Sequence, residues 1–252
     1  MAEKMLAAIR TLSDKPIRYI VNTHVHGDHV GGNLALSKAG SIIVGGNFAG
    51  RVAADSAAAI LAHENVLNRM SAPPAAGQTA LPFGALPTDT YFTDGKDVFF
   101  NGEAIQLIHP RNAHTDGDSI VFFRRSDVVS TGDIFTPGGF PNVDVTRGGS
   151  LNGLIAALNR IIEITVPAEK QEGGTYVIPG HGHLCDEADV VEYRDMATIL
   201  RDRFQEALKK GMSLDQVKAA KLTRDYDPLY AANEAATDRF VTTAYNSLSA
   251  KK

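Results

Sequence analysis

The residues best suited to chemistry lie in one short segment, Asn22-Thr-His-Val-His-Gly-Asp-His-Val-Gly-Gly. In an extended chain, side chains two residues apart share a face, so His24, His26 and Asp28 are expected to point the same way. His29 follows as the chain turns at two glycines. Three imidazoles and a carboxylate within six residues form a poor hydrophobic core. They form a good metal site, because Zn²⁺, Fe and similar ions accept both ligand types.

Three isolated residues are candidates for the remaining ligands, because one loop cannot surround two metal ions. His114 comes just before a predicted strand, and Asp133 and His181 each come just after one. Each is flanked by glycine or another small residue. Loops at strand ends are where α/β scaffolds place their sites, so we expect these three side chains to join the histidine-rich segment.

Short strands alternate with helices along the chain. Predicted helices cover residues 3–12, 33–38, 47–70, 150–164, 187–209, 213–220 and 233–248. Predicted strands cover residues 17–21, 41–44, 97–100, 104–108, 119–123, 128–130 and 176–178. Asn101-Gly102 predicts a hairpin turn, and the prolines within 71–87 predict a long loop. This mixed order favours an α/β fold in which helices are layered on sheets.

Composition excludes several function classes. The chain has 252 residues, of which 44% are hydrophobic and 21% charged, which is ordinary for a globular protein. The formal net charge of -4 favours neither nucleic acid nor an anionic membrane as a partner. Cys185 is the only cysteine, so an intrachain disulfide and a cysteine-based zinc site are excluded. We expect a small-molecule substrate; the oligomeric state is left open.

The ordered motif His-x-His-x-Asp-His, followed by isolated His, Asp and His, resembles the metallo-β-lactamase superfamily over about residues 17–183. The resemblance implies a four-layer αβ/βα sandwich, a single domain over residues 1–252 with C-terminal helices from about 187, and two Zn²⁺ ions per chain, with Fe or Mn as alternatives. By that pattern the first metal is held by His24, His26 and His114. The second is held by Asp28, His29 and His181, and Asp133 bridges the two.

The same resemblance implies hydrolysis by a metal-bound hydroxide, since Zn²⁺ lowers the pKa of its water towards about 7. Asp28 is expected to orient the nucleophile and carry a proton to the leaving group. His-Thr-x-Gly-Asp paired with Pro-Gly-His-Gly is similar to β-lactamases. Asp133 and Thr136, however, replace the cysteine and lysine of their best-known subclass. We therefore predict a hydrolase of small cyclic amides or esters, either β-lactams or lactones.

Three alternatives to this prediction make different demands on the sequence. A glyoxalase II-like thioester hydrolase would use a basic patch on the C-terminal helices, for which the candidates are Arg201, Arg203, Lys209 and Lys210. A mono-iron sulfur dioxygenase would leave the second metal site empty. A non-catalytic relic would have lost a ligand, and none is lost.

The segment before the histidines is short for this superfamily, whose members usually begin with several strands. We therefore expect the first sheet to lack those strands and the true start of the protein to lie upstream. As written, the chain shows no export signal, which predicts a cytoplasmic protein, whereas an upstream signal peptide would make it periplasmic. Of the other histidines, His63 is predicted on a helix surface, His109 in a structural role and His183 beside the site.

Overall fold

The computed structural model describes residues 1–42, 57–74, 76–77 and 79–249. These residues form two compact units, Met1–Phe92 and Thr93–Lys252. Each unit has one β-sheet and several helices, which confirms the predicted mixed α/β class. That the whole chain forms one domain stays a prediction.

The first unit carries a parallel sheet in the strand order β1-β2-β3. The strands are β1 (Tyr19–Val21), β2 (Ala59–His63) and β3 (Asp89–Tyr91). The helices are α1 (Ala2–Leu12), α2 (Gly27–Val30), α3 (Asn33–Lys38) and α4 (Glu64–Met70), with a 3₁₀ turn at Phe83–Ala85. Because the strands are parallel, their carboxyl ends lie at one edge of the sheet, and the histidine-rich segment begins at that edge.

Three sequence predictions fail in this unit. The alanine-rich segment predicted as a helix over 47–70 contains strand β2, and within its described part, residues 57–70, only Glu64–Met70 is helical. Four of the five residues of β2 are buried, so packing between two parallel neighbours outweighs the helical preference of alanine. His63 is consequently a buried side chain that caps α4, accepting a hydrogen bond at Nδ1 from the Asn65 N–H. Ser41 and Ile42 are not in a strand, and residues 43–56 of the predictions lie outside the described residues.

Among the described residues of the first unit, one cluster of buried side chains comprises Val30, Ala62, Val66 and Met70, with Val25 and Leu86 packed against it. Ile60 and Leu61 of β2 are also buried. Strand β1 has only half-buried residues, and α1 has no buried residue.

The second unit carries a five-stranded sheet in the order β4-β5-β6-β7-β8. The strands are β4 (Gly95–Phe100), β5 (Glu103–Ile108), β6 (Ile120–Phe123), β7 (Val128–Gly132) and β8 (Tyr176–Pro179). All neighbours are antiparallel except β7 and β8, which are parallel. The predicted hairpin is confirmed: Asn101 and Gly102 both have positive φ, as a type I′ turn requires.

Five helices and a 3₁₀ turn at Val145–Arg147 complete the described part of this unit. They are α5 (Leu151–Ile164), α6 (Glu187–Lys209), α7 (Leu214–Ala219), α8 (Asp227–Tyr230) and α9 (Glu234–Ser249). Ser150 caps α5, and Asp186 and Ser213 form capping boxes at α6 and α7. A large core joins Val129 and Val177 of the sheet to the buried faces of α5, α6 and α9. No helix in the described ranges is long and apolar enough to cross a membrane.

Candidate metal centre

The first unit gathers three imidazoles, two of which direct a ring nitrogen to one threonine. The Thr23 hydroxyl lies 3.2 Å from His24 Nδ1 and 3.5 Å from His29 Nδ1. Both rings therefore direct their Nδ1 atoms to Thr23, which leaves the two Nε2 atoms for another partner. His24 Nε2 lies 3.1 Å from His26 Nδ1, with the two rings edge to face. Thr23 is thus a positioning residue that the sequence analysis missed, although it directly precedes the first histidine.

Two buried contacts fix this segment to its unit. Val25, between the two histidines, packs on the buried cluster of this unit, as the alternation of an extended chain requires. Asn22 and Asn33 exchange side-chain amide hydrogen bonds of 2.9 and 2.8 Å, and Asn33 also donates to the Ala85 carbonyl at 2.9 Å. The start of the histidine segment is therefore tied to the 3₁₀ turn that precedes β3.

Asp28 does not share an extended face with His24 and His26, because the extended backbone ends at His26. Gly27 begins a helical turn, in which the His29 and Val30 N–H groups donate to the His26 carbonyl. Asp28 lies instead beside its neighbour, with Oδ2 3.4 Å from His29 Nε2. Its side chain is 56% exposed.

The second unit gathers the three isolated residues, which come from separate strand ends. One oxygen of Asp133, Oδ2, lies 3.7 Å from His114 Nε2, and the other, Oδ1, lies 3.5 Å from His181 Nε2. Asp133 directly follows β7, and His181 follows the neighbouring parallel strand β8. His114 and Asp133 are buried, whereas the His181 side chain is 56% exposed.

Hydrogen bonds set the orientation of His114. Its Nδ1 lies 2.6 Å from the Asn142 carbonyl, which can only accept, so Nδ1 carries the proton. Nε2 of the neutral ring is then an acceptor that faces Asp133, which is the arrangement of a metal-ligating histidine with its outer partner. The following turn is closed by Asp118, which accepts from the Thr115 N–H and hydroxyl at 2.8 and 2.6 Å. Burial raises the pKa of Asp118 to about 7, while the hydrogen bonds from Thr115 act in the opposite direction.

A glycine makes room for the Asp133 carboxylate. A Cβ on Gly180 would overlap Asp133 Oδ1 and would come within 2.9 Å of the Asp133 nitrogen. The Gly180 N–H also donates to the Gly132 carbonyl at 2.9 Å, which draws the two strand ends together. The position therefore requires glycine for close approach, and together with the Asn142 carbonyl it is a feature that residue types alone did not indicate.

These donors fit divalent transition metals such as zinc. Two ligand atoms bound to a tetrahedral Zn²⁺ at 2.0–2.2 Å are roughly 3.4 Å apart. Within each unit the paired donor atoms are separated by 3.1 to 3.7 Å. The donors are imidazoles and carboxylates, with no ammonium or guanidinium among them. The metal identity and the number of ions stay predictions.

The remaining single residues have structural surroundings. His109 is half-buried, and its Nδ1 lies 2.8 Å from the Asp118 carbonyl; burial lowers its pKa. His183 is exposed. Cys185 is buried, and burial together with the nearby Asp189 carboxylate raises its pKa to about 12.

Comparisons with known proteins place this geometry in context. A linear primary-alkylsulfatase from Pseudomonas sp. (strain ATCC 19151) is 24% identical over a 246-residue alignment that covers 86% of this chain and 44% of that protein. The chain thus spans less than half the length of this curated relative. The solved structure of a stereoselective inverting sec-alkylsulfatase from Pseudomonas sp. has a TM-score of 0.62 at 16% identity, over 97% of this chain and 44% of that one.

A metallo-β-lactamase from Pontibacter korlensis has a TM-score of 0.54 at 18% identity, over 78% of this chain and 76% of its own. At 16% and 18% identity these solved structures support the fold alone, and they agree with the predicted fold of the metallo-β-lactamase type. The profile of the metallo-β-lactamase superfamily matches residues 1–181, which include all seven candidate ligands. The chain therefore belongs to the metallo-β-lactamase superfamily, whose members are metal-dependent hydrolases.

Proposed function

We propose that the chain is a two-metal hydrolase in which His24, His26 and His114 bind one ion and Asp28, His29 and His181 bind the other. The observation that carries this proposal is the position of Asp133, which turns one carboxylate oxygen to His114 and the other to His181. A carboxylate that serves two different histidines in this way is what a bridging ligand requires.

Metal ions at such a site supply an activated water and polarise the oxygen of the scissile bond. The chain's own residues then orient the metal ligands and protonate the leaving group. Thr23 and the Asn142 carbonyl fix which ring nitrogens of His24, His29 and His114 are available to the ions. Asp28, next to His29 and open to solvent, orients the attacking water and transfers its proton to the leaving group.

The substrate class that we propose is a small cyclic ester or amide, with lactones ahead of β-lactams. Thr136 occupies the place where the best-known β-lactamases carry a lysine for the substrate carboxylate. Its hydroxyl lies 3.4 Å from that of the buried Tyr193. The position therefore offers no cation, and a substrate that lacks a carboxylate loses nothing by its absence.

A second candidate is the hydrolysis of alkyl sulfate esters. It is favoured by the 24% identity to a linear primary-alkylsulfatase across 86% of this chain. The glutathione thioester alternative is less favoured, because three members of its basic patch are already paired. Arg201 contacts Asp202, Arg203 contacts Asp225 and Lys210 contacts Glu206.

The test is metal analysis of zinc-reconstituted protein, combined with turnover of lactones, β-lactams, alkyl sulfates and glutathione thioesters. We expect two zinc ions per chain and the highest kcat/KM for a lactone. Asp133→Asn should lower kcat/KM by more than about 100-fold, since even indirect disturbance of a metal site costs 10–100-fold. The exposed Asp202→Asn is the control and should behave as the parent protein.

Three other outcomes would contradict the proposal or change its substrate class. At most one metal per chain would contradict the two-metal site and favour the mono-iron alternative. Turnover of alkyl sulfates alone would move the substrate class to the second candidate. Full activity of Asp133→Asn would exclude the bridging role.

A further inference from the structure

Helices α8 and α9 follow the last candidate ligand, His181, in the sequence, yet both contact the segment that orients His114. This segment, residues 140–144, is called the support segment below. Its Asn142 carbonyl accepts a hydrogen bond from His114 Nδ1 at 2.6 Å, and its Asp144 N–H donates to the His114 carbonyl at 2.9 Å. The support segment therefore holds both the ring and the backbone of one candidate metal ligand.

Phe140 joins the support segment to the C-terminal helices. Its ring is stacked on that of Phe240 in α9, with a centroid separation of 4.6 Å and an interplanar angle of 6°. Its backbone N–H donates to the carbonyl of Tyr230, the last residue of α8, at 3.2 Å, and the rings of these two residues lie 6.0 Å apart. All three residues are buried in the core of the second unit, so these contacts are shielded from solvent.

The support segment is not packed against the helices along its whole length. A cavity of about 390 Å³ adjoins it, lined by residues of the segment, by Gly138 and Gly139 before it, and by Ala236 and Thr243 of α9. The two glycines place few restraints on the backbone that leads into the segment. The position of the segment therefore depends largely on the stacked rings and on the hydrogen bond to the α8 carbonyl.

Helix α9 is also linked to the residue that precedes His114. The Ser247 hydroxyl accepts a hydrogen bond from the Leu151 N–H at 2.9 Å, at the start of α5. The adjacent Ser150 N–H donates to the Ala113 carbonyl at 2.9 Å. One C-terminal helix thus reaches His114 by two routes, of which the route through the aromatic stack ends on the ring of the ligand itself.

We propose that Phe240 is a positioning residue of the metal centre, which it supports through Phe140 and the Asn142 carbonyl. The proposal rests on the proposed function in that it takes His114 as a metal ligand. A carbonyl held in one place keeps the proton of the neutral His114 ring on Nδ1 and presents Nε2 to the ion. Without the stack the carbonyl moves, the ring adopts other orientations, and the affinity for metal falls.

A small set of variants in the whole chain tests this role. Phe240→Leu removes the stack and keeps an apolar side chain, whereas Phe240→Tyr retains the ring. Phe204→Leu is the matched control. Phe204 is fully buried in the same core and packs edge-on against Phe240 at 5.9 Å, but its ring has no contact with that of Phe140 in the described part of the chain.

Two measurements read the position of the ligand rather than stability. The first is the ring ¹⁵N NMR spectrum of His114 in the metal-free chain, which reports which nitrogen carries the proton and how fast that proton exchanges with water. Its signals are assigned by their absence from the spectrum of His114→Gln. The second is zinc affinity, measured by competition with a chromophoric chelator.

We expect Phe240→Leu to bind zinc about tenfold more weakly and to exchange the His114 Nδ1 proton about tenfold faster, as for the loss of an outer partner of a metal-ligating histidine. Phe240→Tyr should restore both values. Phe140→Leu should reproduce both losses, and the double variant should lose no more than either single one, because both changes remove the same stack. Phe204→Leu should keep the parental values even where its denaturation midpoint falls equally.

The proposal is overturned if Phe204→Leu loses as much zinc affinity as Phe240→Leu, because the effect would then follow stability alone. Parental zinc affinity and proton exchange in Phe240→Leu would also overturn it, as would a parent chain whose His114 carries its proton on Nε2. A parent that hydrolyses none of the substrates, while Phe240→Leu shows both losses, would contradict the proposed function and support the positioning role. Full turnover with an unaffected Phe240→Leu would do the reverse.

Discussion

The two units supply candidate metal ligands in different ways. In Met1–Phe92 the four ligands come from one continuous segment, residues 24–29, and Thr23 beside it orients two of their rings. In Thr93–Lys252 the three ligands come from separate strand ends, and they meet only because β7 and β8 are paired in the correct register. A continuous motif carries much of its geometry in its own backbone, whereas a distributed one depends on the packing of the whole unit.

The hydrophobic cores of the two units also differ. Among the described residues of the first unit, one buried cluster has four members, Val30, Ala62, Val66 and Met70, and helix α1 buries no residue. The second unit has an extensive core to which α5 alone contributes six buried residues, Leu151, Leu154, Ile155, Ala157, Leu158 and Ile161. The more extensive described core thus lies in the unit whose ligands are distant in sequence.

Hydrogen exchange measures this contrast directly, and it should show the largest effect. Amides of α1 should exchange at least about a thousandfold faster than those of α5, because core amides exchange only through unfolding of about 5–15 kcal/mol. Mass spectrometry of peptides from the two helices provides the measurement. Equal protection of α1 and α5 would show that the first unit is held as firmly as the second.

Gly180→Ala tests whether the second unit, whose ligands come from separate strand ends, depends on close packing of those strand ends. The new Cβ would overlap Asp133 Oδ1 and displace that carboxylate, so we expect zinc affinity to fall about 10–100-fold. Competition with a chromophoric chelator measures the change. Gly139→Ala is the control, since a Cβ there meets nothing closer than Thr136 O at 3.9 Å. Equal losses in both variants would attribute the effect to glycine replacement in general.

The sequence predicted most of what is continuous. The dense histidine motif and the Asn101-Gly102 hairpin each depend on residues adjacent in the chain, and the structure confirms the hairpin. The sequence did not predict the elements whose structure depends on packing. Strand β2 contains two alanines and was mistaken for helix, and α8, a single turn that begins at Asp227, was not predicted at all.

The site shows the same limit. Residue types identified the candidate ligands but not the groups that orient them. The Asn142 carbonyl has no side-chain signature, and Gly180 differs from other glycines only in what approaches it. Asp28 was placed on the wrong face, because the helical turn at Gly27 could not be distinguished from continued extension.

Asn33→Ala tests the first unit, whose ligands come from one continuous segment. Removal of this amide leaves the buried Asn22 side chain and the Ala85 carbonyl without their hydrogen bonds, which should lower the free energy of unfolding by about 1–3 kcal/mol. Chemical denaturation followed by circular dichroism measures it. Asn68→Ala, an exposed position in α4, should leave stability almost unchanged. An unchanged midpoint for Asn33→Ala would show that the histidine segment does not need this link.

The smallest expected effect is the pH dependence of the free energy of unfolding that His109 of the second unit contributes. Burial lowers the pKa of His109 in the folded protein below its ordinary value of 6.5, while the Asp94 and Asp116 carboxylates oppose the change. As pH falls through 6.5, the unfolded chain binds a proton that the folded chain does not, so the free energy of unfolding decreases.

His109→Gln removes this titration and retains an amide that can donate to the Asp118 carbonyl, so its stability should decline less between pH 7 and pH 5 than that of the parent. Urea denaturation in the presence of a chelator is the measurement, because metal binding is itself pH-dependent. The exposed His183→Gln should follow the parent. If His109→Gln also follows the parent, the acid sensitivity of the second unit arises from other groups, and its large core does not hold His109 in the neutral form.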